Sequence, residues 1–322
     1  MMNVLNMGSM NIDYVYEVDH IVVPGETQSS RKMKVYCGGK GLNQSVALAR
    51  AGVSVAHAGI VGEDGGPLLE LCRENGIDTA FVRQIEGKSG HTIIQVDQNA
   101  QNSILLYGGS NRKFSEAYVK HVLNNFGPGD VLLLQNEINL LDRIVELAFN
   151  RGMDIILNPS PMDAQLSSVD MSKIALFIVN EIEGEQMTGM HEPEAILSRA
   201  QQLYPDAGFV LTLGAGGSIC QYRGERFYQA ACPVKAVDTT AAGDTFTGYL
   251  IAGLLESTLP DGSAVDAGRF GDCHGKAARG NSLMEGLVCG VQKALDLASR
   301  AAALAVTRPG ATPSIPWRNE VI

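Results

Sequence analysis

Short apolar runs alternate with helical stretches along most of this chain, and that alternation constrains its fold more than any other feature. Residues 4–7 read as a strand, and residues 43–51 as a helix closed by Gly52 just past its C-terminus. A strand over 53–61, a helix over 67–75 stopped by Gly76, a strand over 131–134 and a helix over 140–150 continue the pattern. Further strands are expected at 154–157, 174–179 and 209–213. Parallel neighbours need a crossover connection, and a helix is the usual one. The expected fold class is therefore α/β, a mostly parallel central sheet with helices on both faces. Ligands of such sheets sit beyond the carboxyl ends of the strands, so polar motifs there matter most.

Two regions break the alternation. Residues 12–34 and 91–107 read as antiparallel strands, with 91–96 and 103–107 flanking a turn-rich loop at 97–102. Neither region carries a helix to cover it, so both are expected in a small β-sheet, a lid on the main domain. Residues 261–286 are Gly-rich and weakly periodic between two strong helices, and a loop of that length is usually functional or mobile. The whole of 1–322 is then expected to form one large domain with this appended lid.

Composition narrows the class. Hydrophobic residues at 45% and charged ones at 19% exclude disorder, collagen and coiled coil as the overall type. The net charge of −10 argues against a nucleic-acid partner. It leaves small anions possible, because backbone amides or a metal can hold them. No run of 18 apolar residues is present, so no membrane span is expected. The start of the chain lacks the basic and apolar regions of a secretory signal. Six cysteines without C-x-x-C or zinc spacing read as reduced thiols, and a cytoplasmic location is expected.

The most informative segment is 236–248, AVDTTAAGDTFTG. Ala241, Ala242 and Gly243 open a helix expected to begin near Asp244. Free N–H groups at a helix start form an anion site, and small residues let a phosphate approach them. Asp244 then stands where it can take a proton from an attacking hydroxyl. Donors for developing charge plus a base fit phosphoryl transfer. An ordinary helix cap with small residues for close packing fits the same letters. In 35–43, VYCGGKGLN, Gly38, Gly39 and Gly41 surround Lys40 ahead of a helix. The spacing is not that of a Walker A loop; it fits a polar ligand approached closely by backbone, or a Gly-rich turn with a surface lysine.

Asn11 and Asp13, in GSMNID, pair an amide with a carboxylate, which suits sugar hydroxyls or a plain polar strand exit. Asn180 and Glu183 follow an apolar strand, where oxygens can hold Mg²⁺ through waters and phosphates or acidic groups can complement a helix dipole. The TLGAGG run at 212–217 continues as a strand rather than the helix a dinucleotide fingerprint needs. It is expected to form a Gly turn beside an adenine or ribose. Glu137, just past the strand at 131–134, is expected to be exposed and to line the cleft. His274 beside Cys273 reads as a weak metal hint or, more simply, a loop pair.

These segments, in this order, resemble the ribokinase family of ATP-dependent sugar kinases, the PfkB type, over about residues 3–318. The most specific matches are GSMNID with GGKGLNQ, and AVDTTAAGDTFTG followed by AVTRPGATPSIPW at 305–317. The resemblance implies a ribokinase-like fold whose β lid often forms a homodimer interface. It implies ATP, Mg²⁺ and K⁺ as cofactors and phosphorylation of D-ribose at its 5-hydroxyl. Asp244 matches the general base, and Ala241, Ala242 and Gly243 the anion hole. Asn11, Asp13, Gly39, Lys40, Asn43 and Glu137 match sugar-binding positions, with Asp244 also touching the sugar. Asn180 and Glu183 match the N-x-x-E motif linked to Mg²⁺ and phosphate, and Thr212, Gly214 and Gly217 look like nucleotide contacts. Asp238, Thr240, Ala305, Arg308, Gly310 and Ser314 match a potassium site that orders the anion hole. The chain departs from the pattern in the 261–286 segment, which looks like an insertion. It also departs at Ser299, where a His is common near the adenine, and at Tyr249, where a small residue usually follows Gly248. A kinase for another furanose (deoxyribose, a nucleoside or fructose) and a non-catalytic sugar- or nucleotide-binding regulator are the competing expectations.

Overall fold

The strands Val4–Met7, Val131–Gln135, Asp154–Asn158, Leu176–Asn180 and Gly208–Thr212 are buried almost end to end. They read as continuous apolar runs because a parallel sheet covered on both faces buries both sets of side chains. In the computed structural model, which describes residues 3–99, 101–258 and 283–322, they are five strands of an eight-stranded sheet. Its order is Glu225–Gln229, Ser218–Tyr222, Gly208–Thr212, Leu176–Asn180, Asp154–Asn158, Val131–Gln135, Val4–Met7, Val55–Ala58. Six strands run parallel, and the hairpin of Ser218–Tyr222 with Glu225–Gln229 closes one edge antiparallel.

Successive side chains of each strand enter two different cores. Leu133, Ile156, Ile178 and Val210 pack on one face with the helices Lys40–Arg50, Ala242–Glu256 and Val291–Ala305. Leu132, Leu157, Phe177 and Leu211 pack on the other with Glu116–Leu123, Leu141–Asn150 and Pro193–Leu203. Each fully buried Leu of this kind stabilises the fold by about 1.5–3 kcal/mol. Ala242–Glu256 is deeply enclosed, with every residue from Asp244 to Leu254 buried. It lies against Lys40–Arg50 so closely that a Cβ on Gly248 would come within 2.4 Å of Ala47 Cβ. Tyr249, bulky for its place, is fully buried and donates its hydroxyl to Pro316 O at 2.8 Å.

A separate four-stranded sheet has the order Lys32–Gly38, Asn11–Glu17, Gly90–Val96, Asn102–Tyr107. Its central pair, Asn11–Glu17 with Gly90–Val96, is parallel, and both outer pairs are antiparallel. Asp13, Tyr36, Thr92 and Leu106 stand in one cross-strand row. Val35, Tyr14, Ile93 and Leu105 form the next row, on the opposite face. Residues 18–31 carry no regular structure, so the two strands expected within 12–34 are shorter than that span.

Several boundaries differ from the sequence-based expectation for physical reasons. The strand expected over 53–61 is two strands. Val55–Ala58 joins the main sheet, whereas Ile60–Val61 pairs with Arg83–Gln84. Gly59 separates them, and a Cβ there would press within 2.9 Å of His57 Nε2. The helix expected from 43 begins at Lys40. Gly39 at φ 90° supplies the turn, and Gly41 fits because a Cβ would lie 2.4 Å from Ser9 N. Close approach to the strand end therefore overrides the low helix propensity of glycine. Leu283 to Gly286, expected in the long loop, belong to the helix Leu283–Cys289. The rest of that loop, with Cys273 and His274, lies outside the described residues.

Candidate active site

The helix Ala242–Glu256 starts without a side-chain cap, from Ala241 held in the left-handed region at φ 60°. The first N–H groups of a helix have no intrahelical acceptor. Gly243 and Asp244 bring that end of the helix into a pocket shared with Lys40, Asn158, Asn180, Glu183, Thr212 and Thr247. Asp244 is not the cap. It sits in the first turn, 6% exposed, and its carboxylate accepts Asn43 Nδ2 and Gln44 Nε2, each at 2.9 Å. Asn43 Oδ1 is buried and has no protein partner. Buried polar atoms are nearly always paired, so an oxygen left open beside a carboxylate marks where a ligand hydroxyl fits.

Lys40 stands at the start of its helix, and its backbone N–H donates to Glu137 Oε2 at 2.9 Å. Burial pulls the Lys40 ammonium down, but the carboxylates of Asp244, Glu137 and Glu183 outweigh it and hold its pKa above the ordinary lysine value. The surface-lysine reading of VYCGGKGLN thus fails: Gly39 forms the turn and Lys40 faces three acids. Glu137 also differs from expectation, being half-buried rather than exposed and also accepting the Ser9 hydroxyl. Burial raises its pKa, opposed by Ser9 and Lys40.

Asn11 is buried, and its Oδ1 accepts Asn111 Nδ2 at 2.7 Å. Asn111 Oδ1 accepts the Met10 N–H at 3.0 Å, which fixes the Asn111 amide and so the oxygen of Asn11 that faces it. Asp13 accepts the Thr92 hydroxyl at 2.5 Å. Burial, opposed by that hydroxyl and aided by Glu137, pushes the Asp13 pKa up to about 6. Gly38 faces this carboxylate so closely that a Cβ would overlap Asp13 Oδ2.

Asn180 and Glu183 form a capping box at the start of the helix Glu181–Thr188: Asn180 Oδ1 accepts the Glu183 N–H at 2.9 Å, and Glu183 Oε2 accepts the Asn180 N–H at 3.1 Å. Both also line the pocket, so the helix-start role and pocket membership coexist. Thr212 lines it too and donates to Val179 O at 3.2 Å. Gly214 opens a short 3-10 turn, and Gly217, at φ 98°, has no room for a Cβ beside Gln229 O.

Asp238 accepts the Thr240 N–H at 2.9 Å, the Thr240 hydroxyl at 2.6 Å and the Gly310 N–H at 2.8 Å. Burial would raise its pKa, but these donors hold it below the usual carboxylate value. Arg308 turns to Glu320 and the Ser314 hydroxyl to Ala311 O, while Ala305 O accepts the Arg308 N–H. Among the described residues no group of three His, Cys, Asp or Glu side chains could hold a metal ion. Ser299 bonds Ala230 O at 3.1 Å.

Four residues of this region escaped the sequence reading: Gln44, Thr92, Asn111 and Asn158. Gln44 stands inside the GGKGLNQ motif, and Asn158 directly follows a strand that was recognised. The other two lack such a signal, because only the pairing of Gly90–Val96 with Asn11–Glu17 carries Thr92 to Asp13.

Residues 1–318 match the model of the pfkB family carbohydrate kinases. The ribokinase of Haemophilus influenzae is 33% identical over 326 residues, covering 98% of this chain and 96% of its own length. The crystal structure of ribokinase from Cryptococcus neoformans in complex with ADP superposes with a TM-score of 0.79 at 29% identity, over 100% of this chain and 99% of the other. The Arabidopsis thaliana ribokinase complexed with ribose and ATP gives a TM-score of 0.80 at 26% identity, over 100% and 98%.

Proposed function

This chain belongs to the pfkB family of carbohydrate kinases, and on that premise we propose that it transfers the γ-phosphoryl group of ATP to the 5-hydroxyl of D-ribose, giving ribose 5-phosphate and ADP. The observation that carries the proposal is the pairing of Asp244 with the uncapped helix start and with Lys40. Asp244 would take the proton of the attacking hydroxyl, while the Gly243 N–H and the Lys40 ammonium balance charge on the phosphoryl oxygens; the Ala242 N–H, also expected in the anion hole, is given to Thr239 O at 3.2 Å. Asn11, Asp13, Gly39, Asn43 and Glu137 would hold the sugar; the open Asn43 Oδ1 and the donor-poor Asp13 suit its hydroxyls. Thr212, Gly214 and Gly217 would lie against the nucleotide, and the four-stranded sheet would act as the lid that excludes water.

Mg²⁺ suits the oxygens that Glu183 and Asn180 turn to the pocket, which also holds the Asp244 carboxylate and Lys40, and Glu183 with Asn180 would hold it through waters and phosphate. Bound there, it would neutralise phosphate charge. K⁺ takes mostly carbonyl oxygens, and Asp238 with the oxygens of Thr240, Ala305, Arg308, Gly310 and Ser314 would supply them. Asp238, kept ionised by its three donors, is the observation in favour. A homodimer through the small sheet is supported by the exposure of Val35, Ile93, Leu105 and Tyr107 on one face. The cytoplasm is the proposed location, in keeping with the free state of the five cysteines among the described residues. No helix among the described residues is long and apolar enough to cross a membrane.

The test is a coupled ADP-release assay over a panel of ribose, deoxyribose, fructose and nucleosides, with ATP and Mg²⁺, with and without K⁺. Ribose is expected to give the highest kcat/KM. A higher value for fructose or a nucleoside would move the assignment to that sugar, and no turnover with any would leave a binding regulator.

A further inference from the structure

Beneath Asp244 runs a chain of buried polar side chains drawn from the helix Lys40–Arg50 and from four adjacent strands. Gln44 gives one Nε2 hydrogen to Asp244 Oδ1 at 2.9 Å and the other to Asn158 Oδ1 at 3.1 Å. Its own Oε1 accepts Gln135 Nε2 at 2.6 Å. Gln135 gives its second hydrogen to Asn6 Oδ1 at 3.1 Å. Asn6 then donates to the Ser45 hydroxyl at 2.8 Å, and Ser45 meets His57 Nδ1 at 2.8 Å. Gln44, Gln135, Asn6, Ser45 and His57 are all 0% exposed.

The donors and acceptors fix the orientation of each amide in this chain, while Gln135 Oε1 and His57 Nε2 are buried without a protein partner. A primary amide has a donor end and an acceptor end, and turning one over sets like against like. Gln135 donates in both directions, so Gln44 turns its oxygen toward Gln135 and its NH₂ toward Asp244. Asn158 Nδ2 donates to Ile178 O at 2.9 Å, so its oxygen also faces Gln44. At the far end burial lowers the His57 pKa to about 4, which keeps the ring neutral and able to accept from Ser45. A buried network of this kind resists rearrangement, because each further broken contact leaves another polar group unpaired.

We infer that Gln44 is a positioning residue for the base: the amide chain holds its NH₂ against Asp244 and locks that carboxylate in the orientation that meets the sugar hydroxyl. The inference rests on Asp244 acting as the base. Lys40 and Glu137 are the charged groups coupled to Asp244, and Glu183 faces the same Lys40.

Four proteins test it: wild type, Asp244→Asn, Gln44→Met and Gln44→Glu, assayed for kcat, KM and pH profile with ribose and ATP. Gln44→Met keeps the length and removes the donor. It is expected to lower kcat roughly 10- to 100-fold, the worth of a hydrogen bond to a charged group, with KM for ATP within about twofold. Gln44→Glu still accepts from Gln135 but sets a second carboxylate against Asp244. Two carboxylates in contact share a proton. The acid limb of its kcat/KM profile is therefore expected to move up by about one pH unit or more. A residue that merely supports the fold would lower thermal stability yet leave both the kcat of the folded protein and the acid limb in place, and that result overturns the inference. If both variants fail to fold, Gln44 serves the fold and the inference falls as well. If wild type turns over no sugar, or Asp244→Asn keeps its rate within a few-fold, the proposed function fails instead.

Discussion

Asp244, the proposed base, and Asp13, a proposed sugar-binding group, are two enclosed carboxylates that the protein treats differently. Asp244 receives two amide donors from the helix Lys40–Arg50, and one of them is anchored in a network that crosses four strands. Asp13, on the small sheet, receives one hydroxyl, from Thr92, and its pKa is pushed up to about 6. One carboxylate receives two amide donors from the protein; the other receives a single hydroxyl and, in the proposed reading, would take further donors from the sugar. A base has to be aimed before the substrate arrives, whereas a binding group gains discrimination when only the right hydroxyls complete it.

The largest expected effect is at the aimed carboxylate. Asp244→Asn keeps the size of the side chain but cannot take a proton, so kcat should fall by roughly 10²–10⁴-fold. Steady-state rates measure this, and calorimetric titration should find ATP affinity nearly unchanged.

Asp13→Asn probes the other carboxylate. Its folded pKa of about 6 lies above the ordinary carboxylate value of 3.8, so the folded protein binds this proton more tightly than the unfolded chain. The stability contributed by that proton is complete below about pH 4 and is lost as pH rises through about 6. Wild type therefore bears the cost of a buried charge at pH 8, up to roughly 3 kcal/mol at about 1.4 kcal/mol per pH unit. The Asn variant does not. Relative to wild type it should melt higher at pH 8 than at pH 4, while ribose affinity falls. Thermal melts at the two pH values decide this, and a pH-independent difference would contradict it.

Gly90→Ala sharpens the contrast by disturbing only the sheet side. A Cβ there would meet Asn111 Nδ2 at 2.1 Å and Asn11 Oδ1 at 2.3 Å, so two buried, mutually bonded amides must shift. KM for ribose should rise roughly tenfold, about one hydrogen bond's worth, with kcat at saturating ribose little changed and the melting temperature lowered. The smallest kinetic effect is expected from Leu105→Glu, on the face opposite Asp13. Sedimentation should show a monomer in place of a dimer. A dimer that persists would remove the small sheet from the proposed interface.

Much of this arrangement was legible in the sequence. The alternation of apolar runs with helical periods specified a covered parallel sheet, since only burial on both faces allows strands such as VLLLQ and LFIVN. The strand-end motifs named Asp244, Lys40, Asn11 and Asp13, because chemistry at such ends shows as polar letters among glycines. Boundaries were less legible where packing overrode propensity, as at Gly41 inside a helix and at Gly59 between two strands. Glu137 looked exposed because position along a strand does not reveal what folds over it.

What the sequence determined by itself is therefore the class of the sheet and the identity of the chemically able residues. What only the tertiary structure decided is which neighbour orients each of them. Gln44 reaches Asp244 across 200 residues, and Asn111 reaches Asn11 across 100. A hydrogen bond depends on distances of a few ångströms and on direction. No local pattern encodes either for groups so far apart in the chain; both follow from strand order and from the depth at which each helix packs.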